Sequence, residues 1–151
     1  MRMTTQVTNT RRLQHPASSA ASLANKLPPV SFTKTSRYWL FSTLDQLNEG
    51  HTLVIPRTHY ETVYDIPEDL VCHIYKLVKR LSVVVKDATK ADGITIIQQN
   101  GPAAGQEVFH LHVHVVPRFE GQKLPHFREI PNASRQKLEE AAETIRKRLQ
   151  T

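Results

Sequence analysis

The chain has 151 residues, of which 39% are hydrophobic and 23% are charged, and its formal net charge at pH 7 is +6. No apolar run approaches the roughly 18 residues needed to cross a bilayer, so we exclude a membrane protein and expect one soluble domain with a buried core. Cys72 is the single cysteine, which excludes an intramolecular disulfide and a cysteine-based zinc knuckle.

The positive charge is confined to the amino-terminal part of the chain. Residues 1–44 contain six basic residues and no Asp or Glu, whereas residues 45–151 contain 14 basic and 14 acidic residues. Nucleic-acid binding by the folded part is therefore not expected. Residues 1–29 are rich in Ser, Thr, Ala and Asn with spaced arginines, which is typical of a solvated tail or of an organelle transit peptide. We expect a cytoplasmic protein or, if this segment is a transit peptide, a mitochondrial or other organellar one.

The first predicted elements after this tail are three short strands and a long helix. The strands are predicted at 30–35, 37–44 and 51–57, and a turn at Asn48-Glu49-Gly50 precedes the third. The helix begins near Pro67 and ends before Gly93. Its apolar residues recur at helical spacing: Leu70, Ile74, Leu77, Val78, Leu81 and Val85.

The second half of the chain predicts two further strands and a second helix. The strands are expected at 93–99 and 108–116, with a Gly/Pro loop at 100–106 between them. A helical pattern then follows Ser134, which can serve as its N-cap. These elements predict an α+β domain with an antiparallel sheet of about five strands, a long central helix and a C-terminal helix. The expected units are the tail 1–29, the domain 30–130 and the C-terminal helix 131–151.

The stretch FHLHVHVVPR at 109–118 places three histidines at alternate positions. On a regular strand His110, His112 and His114 would share one face, while the apolar residues between them would enter the core. Three interpretations follow. The row could be an exposed strand face, a zinc site built on His-x-His, or a catalytic site in which one imidazole attacks and another manages the proton of the leaving group.

The loop Gln99-Asn100-Gly101-Pro102-Ala103-Ala104-Gly105-Gln106 precedes the histidine row. Its glycines would let backbone N–H groups approach a ligand closely, and its amides could donate to phosphate oxygens. An ordinary tight connection would have a similar composition. Next to three imidazoles, however, the loop favours a nucleophile that handles phosphate over simple metal binding.

Two blocks of this sequence resemble the histidine-triad (HIT) family. AGQEVFHLHVHVVPR resembles the family signature of three histidines alternating with apolar residues after a Gly-Gln loop. LNEGHTLVIPRTHYETVYDIPEDL resembles the upstream segment, in which a Gly-His pair opens an apolar strand and a second His follows the Pro. The resemblance covers about residues 30–118 and implies the HIT fold and, usually, a homodimer.

The resemblance implies roles for individual residues. His112 matches the nucleophile that attacks the α-phosphate of a nucleotide, and His114 matches the residue at the leaving group. His110 and His51 match a supporting pair, while His59 matches a position of structural use. Further expected substrate contacts come from the loop 99–106, called the phosphate loop below, from the residue after it, and from two residues near the base and ribose. They are Gln99, Asn100, Gly105, Gln106, Glu107, Phe41 and Thr43.

Two of these positions depart from the family pattern. Glu107 replaces the usual Ser or Thr, and Thr43 stands where the family has an Asp or Asn that holds the ribose. The stretch QNGPAAGQEVFHLHVHVVPR is most similar to the fragile-histidine-triad branch of dinucleoside polyphosphate hydrolases. Hydrolysis of an AMP–N bond is the alternative activity, and a nucleotide-binding module with weak or no catalysis is a third possibility.

The resemblance also bears on metals. The cysteine-bearing metal segment that some relatives have at the amino terminus is absent from this sequence. We therefore expect no metal site and no tightly bound cofactor, although Mg²⁺ can accompany a polyphosphate substrate.

Overall fold

The structure is a computed structural model, and it describes residues 30–34, 38–42, 47–123 and 134–149. Within these ranges the sheet has five strands, which are β1 (Val30–Lys34), β2 (Tyr38–Ser42), β3 (Thr52–Pro56), β4 (Gly93–Ile97) and β5 (Val113–Arg118). The helices are α1 (Glu68–Thr89) and α2 (Arg135–Leu149), and a short 3-10 turn spans Pro102–Ala104. The predicted tail at 1–29 and Thr43 lie outside the described residues.

The strands pair in the order β1-β2-β3-β5-β4, and every pairing is antiparallel. This arrangement confirms the α+β class and the antiparallel sheet expected from the sequence. Strand β3 lies at the centre and is buried along its whole length. In the register of β3 and β5, Leu53 lies opposite His114, so the end of the histidine motif is held directly by the central strand.

Helix α1 forms because its apolar residues fall on one face at helical spacing. Its buried side chains are five of the six predicted positions, Ile74, Leu77, Val78, Leu81 and Val85, and Leu70 packs at the edge of the same core. Each such burial contributes about 1.5–3 kcal/mol to folding. Glu68 and Asp69 in the first turn interact favourably with the helix dipole.

Helix α2 begins after Ser134, as predicted, and the Ser134 hydroxyl accepts the backbone N–H of Lys137 at 3.4 Å. Its side chains Ala142 and Ile145 are fully buried in the same core as α1 and the sheet. The helix contacts both α1 and β1. Both helices therefore pack on the same core as the sheet.

The predicted strand at 108–116 is wrong in its first half, because β5 starts only at Val113. Two hydrogen bonds take the place of the ladder before that residue. The Leu111 N–H donates to the Tyr60 carbonyl at 2.6 Å, and the Pro56 carbonyl accepts from the His110 ring at 2.9 Å. Alternating residues have the same pattern in an extended segment and in a paired strand, so the sequence could not place this boundary.

Candidate active site

The three histidines of the motif occupy different environments. His110 is completely buried and lies before the strand, whereas His112 and His114 are half-buried. The expectation that all three histidines lie on one paired strand is therefore wrong, since only His114 lies on β5. Leu111, Val113 and Val115 do enter the core as expected. They anchor the segment on the side facing the helices.

The contacts of His112 define its tautomer. Its Nδ1 lies 2.7 Å from the main-chain carbonyl oxygen of His110. A carbonyl can only accept, so Nδ1 carries the proton and donates it. In the neutral ring Nε2 then has the lone pair. This is the state in which an imidazole acts as a nucleophile at phosphorus.

His51 and His114 form the first of two histidine pairs, with His51 Nε2 and His114 Nδ1 separated by 2.9 Å. The backbone N–H of Leu47 donates to His51 Nδ1 at 3.3 Å, which places the proton of neutral His51 on Nε2. His51 therefore donates to His114, and neutral His114 carries its own proton on Nε2. The His112 and His114 ring centroids are 4.9 Å apart, so the ring with a lone pair on Nε2 lies next to the ring that is protonated on Nε2.

His59 and His110 form the second pair, with their Nδ1 atoms 3.1 Å apart. His110 Nε2 lies 2.9 Å from the Pro56 carbonyl and must donate to it. His110 Nδ1 is therefore an acceptor, and His59 is the donor. The sequence assigned His59 only a structural position, and its partner could not be named without the fold of the segment after β3.

Burial lowers the pKa of all three motif histidines. For His114 burial is the largest cause, followed by the positive charges of protonated His112 and His51, and its pKa falls well below the ordinary 6.5. Burial also lowers the pKa of His112, although the hydrogen bond to the His110 carbonyl opposes this. For His110, burial outweighs the hydrogen bond to Pro56. The lowered pKa values favour the uncharged rings, which are the state to which the tautomers assigned above apply.

The phosphate loop is held together largely by its own amides. Gln106 is 3% exposed, and its side chain accepts the Gly101 N–H at 2.6 Å and donates to the Glu61 carbonyl at 2.7 Å. The Asn100 side-chain oxygen accepts the Val63 N–H at 2.8 Å. Both side chains thus shape the loop, and the N–H groups of Ala104, Gly105 and Gln106 also donate to carbonyls within it.

Gly105, Gln99 and Glu107 lie around the same loop. Gly105 has a φ of +83°, and an added Cβ would lie 2.6 Å from the Gln99 side-chain nitrogen, so glycine is needed both for the turn and for the approach of Gln99. Glu107 is exposed to solvent. Phe41 lies on β2 in register with Leu53, and nothing further is described of its side chain.

The described residues contain neither a group of metal ligands nor a helix that could span a membrane. No group of three or more His, Cys, Asp or Glu side chains in the described ranges is arranged to hold a metal ion. Neither α1 nor α2 is long and apolar enough to span a bilayer.

Comparison with known proteins places these features in context. The sequence model of the HIT domain family matches residues 25–121 of this chain. An uncharacterized HIT-like protein of Saccharolobus solfataricus is 51% identical over 71 residues, which cover 47% of this chain and 51% of that protein, so the match spans about half of the relative. Adenosine 5'-monophosphoramidase HNT1 of Saccharomyces cerevisiae is 31% identical over 64% of this chain and 58% of the enzyme.

Among solved structures, a Hit-like protein from Bartonella henselae, described as involved in cell-cycle regulation, superposes with a TM-score of 0.77 at 34% identity. The alignment covers 85% of this chain and 92% of that protein. The similarity therefore extends over nearly the whole of a related domain.

Proposed function

Because the chain belongs to the HIT domain family, we propose that it hydrolyses a nucleotide at the α-phosphate through a covalent nucleotidyl-His112 intermediate. The observation that carries this proposal is the 2.7 Å hydrogen bond from His112 Nδ1 to the His110 carbonyl. It leaves the lone pair on Nε2, and the lowered pKa keeps that lone pair available at neutral pH. A nucleophile needs both properties.

The proposed reaction has two steps. His112 Nε2 forms a bond to the α-phosphorus while the bond from phosphorus to the leaving group breaks. His114 Nε2–H donates a hydrogen bond to the leaving atom, and the proton that an amine needs in order to leave is taken from solvent. Water then cleaves the phosphorus–nitrogen bond to His112, which releases the nucleoside monophosphate, and the proton lost by that water replaces the one taken from solvent.

The loop after β4 is the proposed phosphate site. Gly105 lacks a side chain that would block a ligand, and the amides of Gln106 and Asn100 fix the loop from within. The N–H groups of Gly101, Ala104, Gly105 and Gln106 already bond within the loop, so a phosphate would be held by side chains and by other backbone groups of the loop. Gln99, which lies against Gly105, is proposed to contact phosphate or ribose, and Phe41 and Thr43 are proposed to contact the base and ribose.

An AMP–N bond is the substrate linkage that we favour. The relative in S. cerevisiae is by name an adenosine 5'-monophosphoramidase. In addition, Glu107 follows the phosphate loop and is exposed. A carboxylate at this place would repel a polyphosphate leaving group and would tolerate an amine.

A dinucleoside polyphosphate is the second candidate. It rests on the similarity of the QNGPAAGQEVFHLHVHVVPR stretch to the hydrolases of that branch. Mg²⁺ would then accompany the substrate phosphates rather than a site on the protein. Activity on this class that exceeds activity on AMP–N bonds would reverse our order of preference.

The test is a comparison of substrates with a search for the intermediate. The intact protein is incubated with adenosine 5'-monophosphoramidate or with diadenosine triphosphate, quenched in the first turnovers, and analysed by mass spectrometry for one AMP on His112. We expect the adduct in the wild type and in His73→Ala, a control on α1 where the ring packs against Tyr38. We expect none in His112→Ala. Binding of nucleotide without adduct or product would instead identify a nucleotide-binding module.

We also propose that the protein is a homodimer. Strand β4 is an edge of the described sheet, and Ile96 on it is 46% exposed. An exposed edge strand can pair with a second copy of the same strand. Light scattering should give the mass of two chains for the wild type and of one chain for Ile96→Lys.

A further inference from the structure

The nucleophile lies on a segment that the sheet does not hold. The β3–β5 ladder ends at the pair Val54 and Val113, one residue after His112. What fixes the position of His112 must therefore come from outside the ladder.

Contacts from the segment that follows β3 supply this fixation. The Tyr60 carbonyl accepts the Leu111 N–H at 2.6 Å, and the Glu61 carbonyl accepts from Gln106 at 2.7 Å. In addition, the Nδ1 atom of His59 lies 3.1 Å from the Nδ1 atom of His110. Of these three contacts, two are made by backbone carbonyls of the segment. The third is made by a side chain, that of His59.

We propose that His59 is a positioning residue of the site. Its Nδ1–H holds the ring of His110, and thereby the main-chain carbonyl of His110 that fixes the tautomer of His112. The role of His112 as nucleophile belongs to the proposed function, whereas the effect of His59 on the tautomer is independent of it.

The hydrogen bonds of the His110 ring determine which of its nitrogens carries the proton. The Pro56 carbonyl requires the proton on His110 Nε2, so His110 Nδ1 needs a donor, and a buried acceptor without a partner is costly. If the donor is lost, the His110 ring can turn, and the peptide that carries the His110 carbonyl is then held only through the hydrogen bond from the Leu111 N–H to Tyr60. His112 could then exchange between its two tautomers, and only the one protonated on Nδ1 has the nucleophilic Nε2.

Two variants of nearly equal size separate this role from simple packing. His59→Asn places an amide N–H close to the original Nδ1, so it preserves donation. His59→Leu has the same branched shape but has no polar atom, so it removes donation without placing a charge beside His110. Thr58→Ala, the exposed neighbour in the same segment, is the control for a general disturbance of the segment.

The tautomers are measured in the ¹⁵N-labelled full chain without substrate by long-range ¹H–¹⁵N correlation spectra of the imidazoles. We expect His112 to be protonated on Nδ1 in the wild type, His59→Asn and Thr58→Ala, and to show both tautomers in His59→Leu. With adenosine 5'-monophosphoramidate, we expect kcat to fall about 5- to 10-fold in His59→Leu, the factor expected for one lost hydrogen bond. KM should stay within about twofold, because a tautomer change affects the attack more than ground-state binding.

Three results would overturn the proposal. The first is a single unchanged His112 tautomer in both His59→Leu and His59→Ala, and the second is equal loss of kcat in the Asn and Leu variants. The third is stoichiometric zinc in the purified wild type that disappears in His59→Leu, since the pair would then be a metal site. A wild type that turns over no nucleotide would refute the proposed function, while the spectra without substrate would still decide the role of His59.

Discussion

Strand β3 has one histidine directly before its first residue and another three residues after its last, and each makes a hydrogen bond to a histidine of the motif. His51 donates to His114, which lies on β5 and carries its remaining proton toward the site. His59 donates to His110, whose other nitrogen is bound to a backbone carbonyl. The same ring-to-ring hydrogen bond thus orients an N–H group toward substrate at one end, and fixes the backbone beneath the nucleophile at the other.

The difference shows that proximity of histidines does not make them equivalent. The ring of His110 is fully buried, and both of its nitrogens contact protein atoms, so we expect its removal to affect folding more than chemistry. His114 is half-buried and is proposed to act on the leaving group. The four predictions below test this division, from the largest expected effect to the smallest.

Replacing the nucleophile should have the largest effect. In His112→Ala we expect hydrolysis of an AMP–N substrate to fall by about 10³-fold or more, because the covalent route is lost. The rate is measured by release of AMP, with His73→Ala as the matched control. Residual activity within tenfold of the wild type would show that His112 is not the nucleophile.

Removing His114 should have an effect that depends on the leaving group. For an AMP alkylamide we expect His114→Ala to lower kcat by about 10²–10³-fold, since an amine is a poor leaving group that depends on the hydrogen bond from His114 Nε2–H. For the p-nitrophenyl ester of AMP, whose leaving group is stable as an anion, we expect a loss of about tenfold or less. Measuring both substrates with one preparation cancels any difference in the active fraction, and equal losses would contradict the leaving-group role.

The extent to which sequence foretold this arrangement depends on the kind of signal. The periodicity of α1 correctly identified Ile74, Leu77, Val78, Leu81 and Val85 as core, because only one helix face can pack against the sheet. The predicted start of β5 was five residues too early. The alternation of apolar and polar residues continues through residues 108–112, which lie before the paired strand. The sequence could not show that the Gln106 side chain bonds to backbone groups of the protein. Those groups come from chain segments that only the fold brings together.

Truncating His110 should mainly reduce stability. His110→Ala leaves a cavity and removes the partner of the Pro56 carbonyl, so we expect the free energy of unfolding to fall by about 2–4 kcal/mol. In His114→Ala, where the ring is half-buried, we expect a loss of about 1 kcal/mol or less. Urea denaturation of both variants gives the comparison, and a larger loss for His114→Ala would reverse our division of the two pairs.

The conservative replacement of His51 should have the smallest effect and should separate its two contacts. In His51→Gln the side-chain amide can still donate to His114 Nδ1, but no acceptor remains at the place of Nδ1 for the Leu47 N–H. We therefore expect kcat within about threefold of the wild type and a loss of about 1 kcal/mol in the free energy of unfolding. Urea denaturation and AMP release on the same preparation measure both quantities. A loss of activity as large as that of His114→Ala, with unchanged stability, would mean that His51 acts chemically rather than by orienting His114.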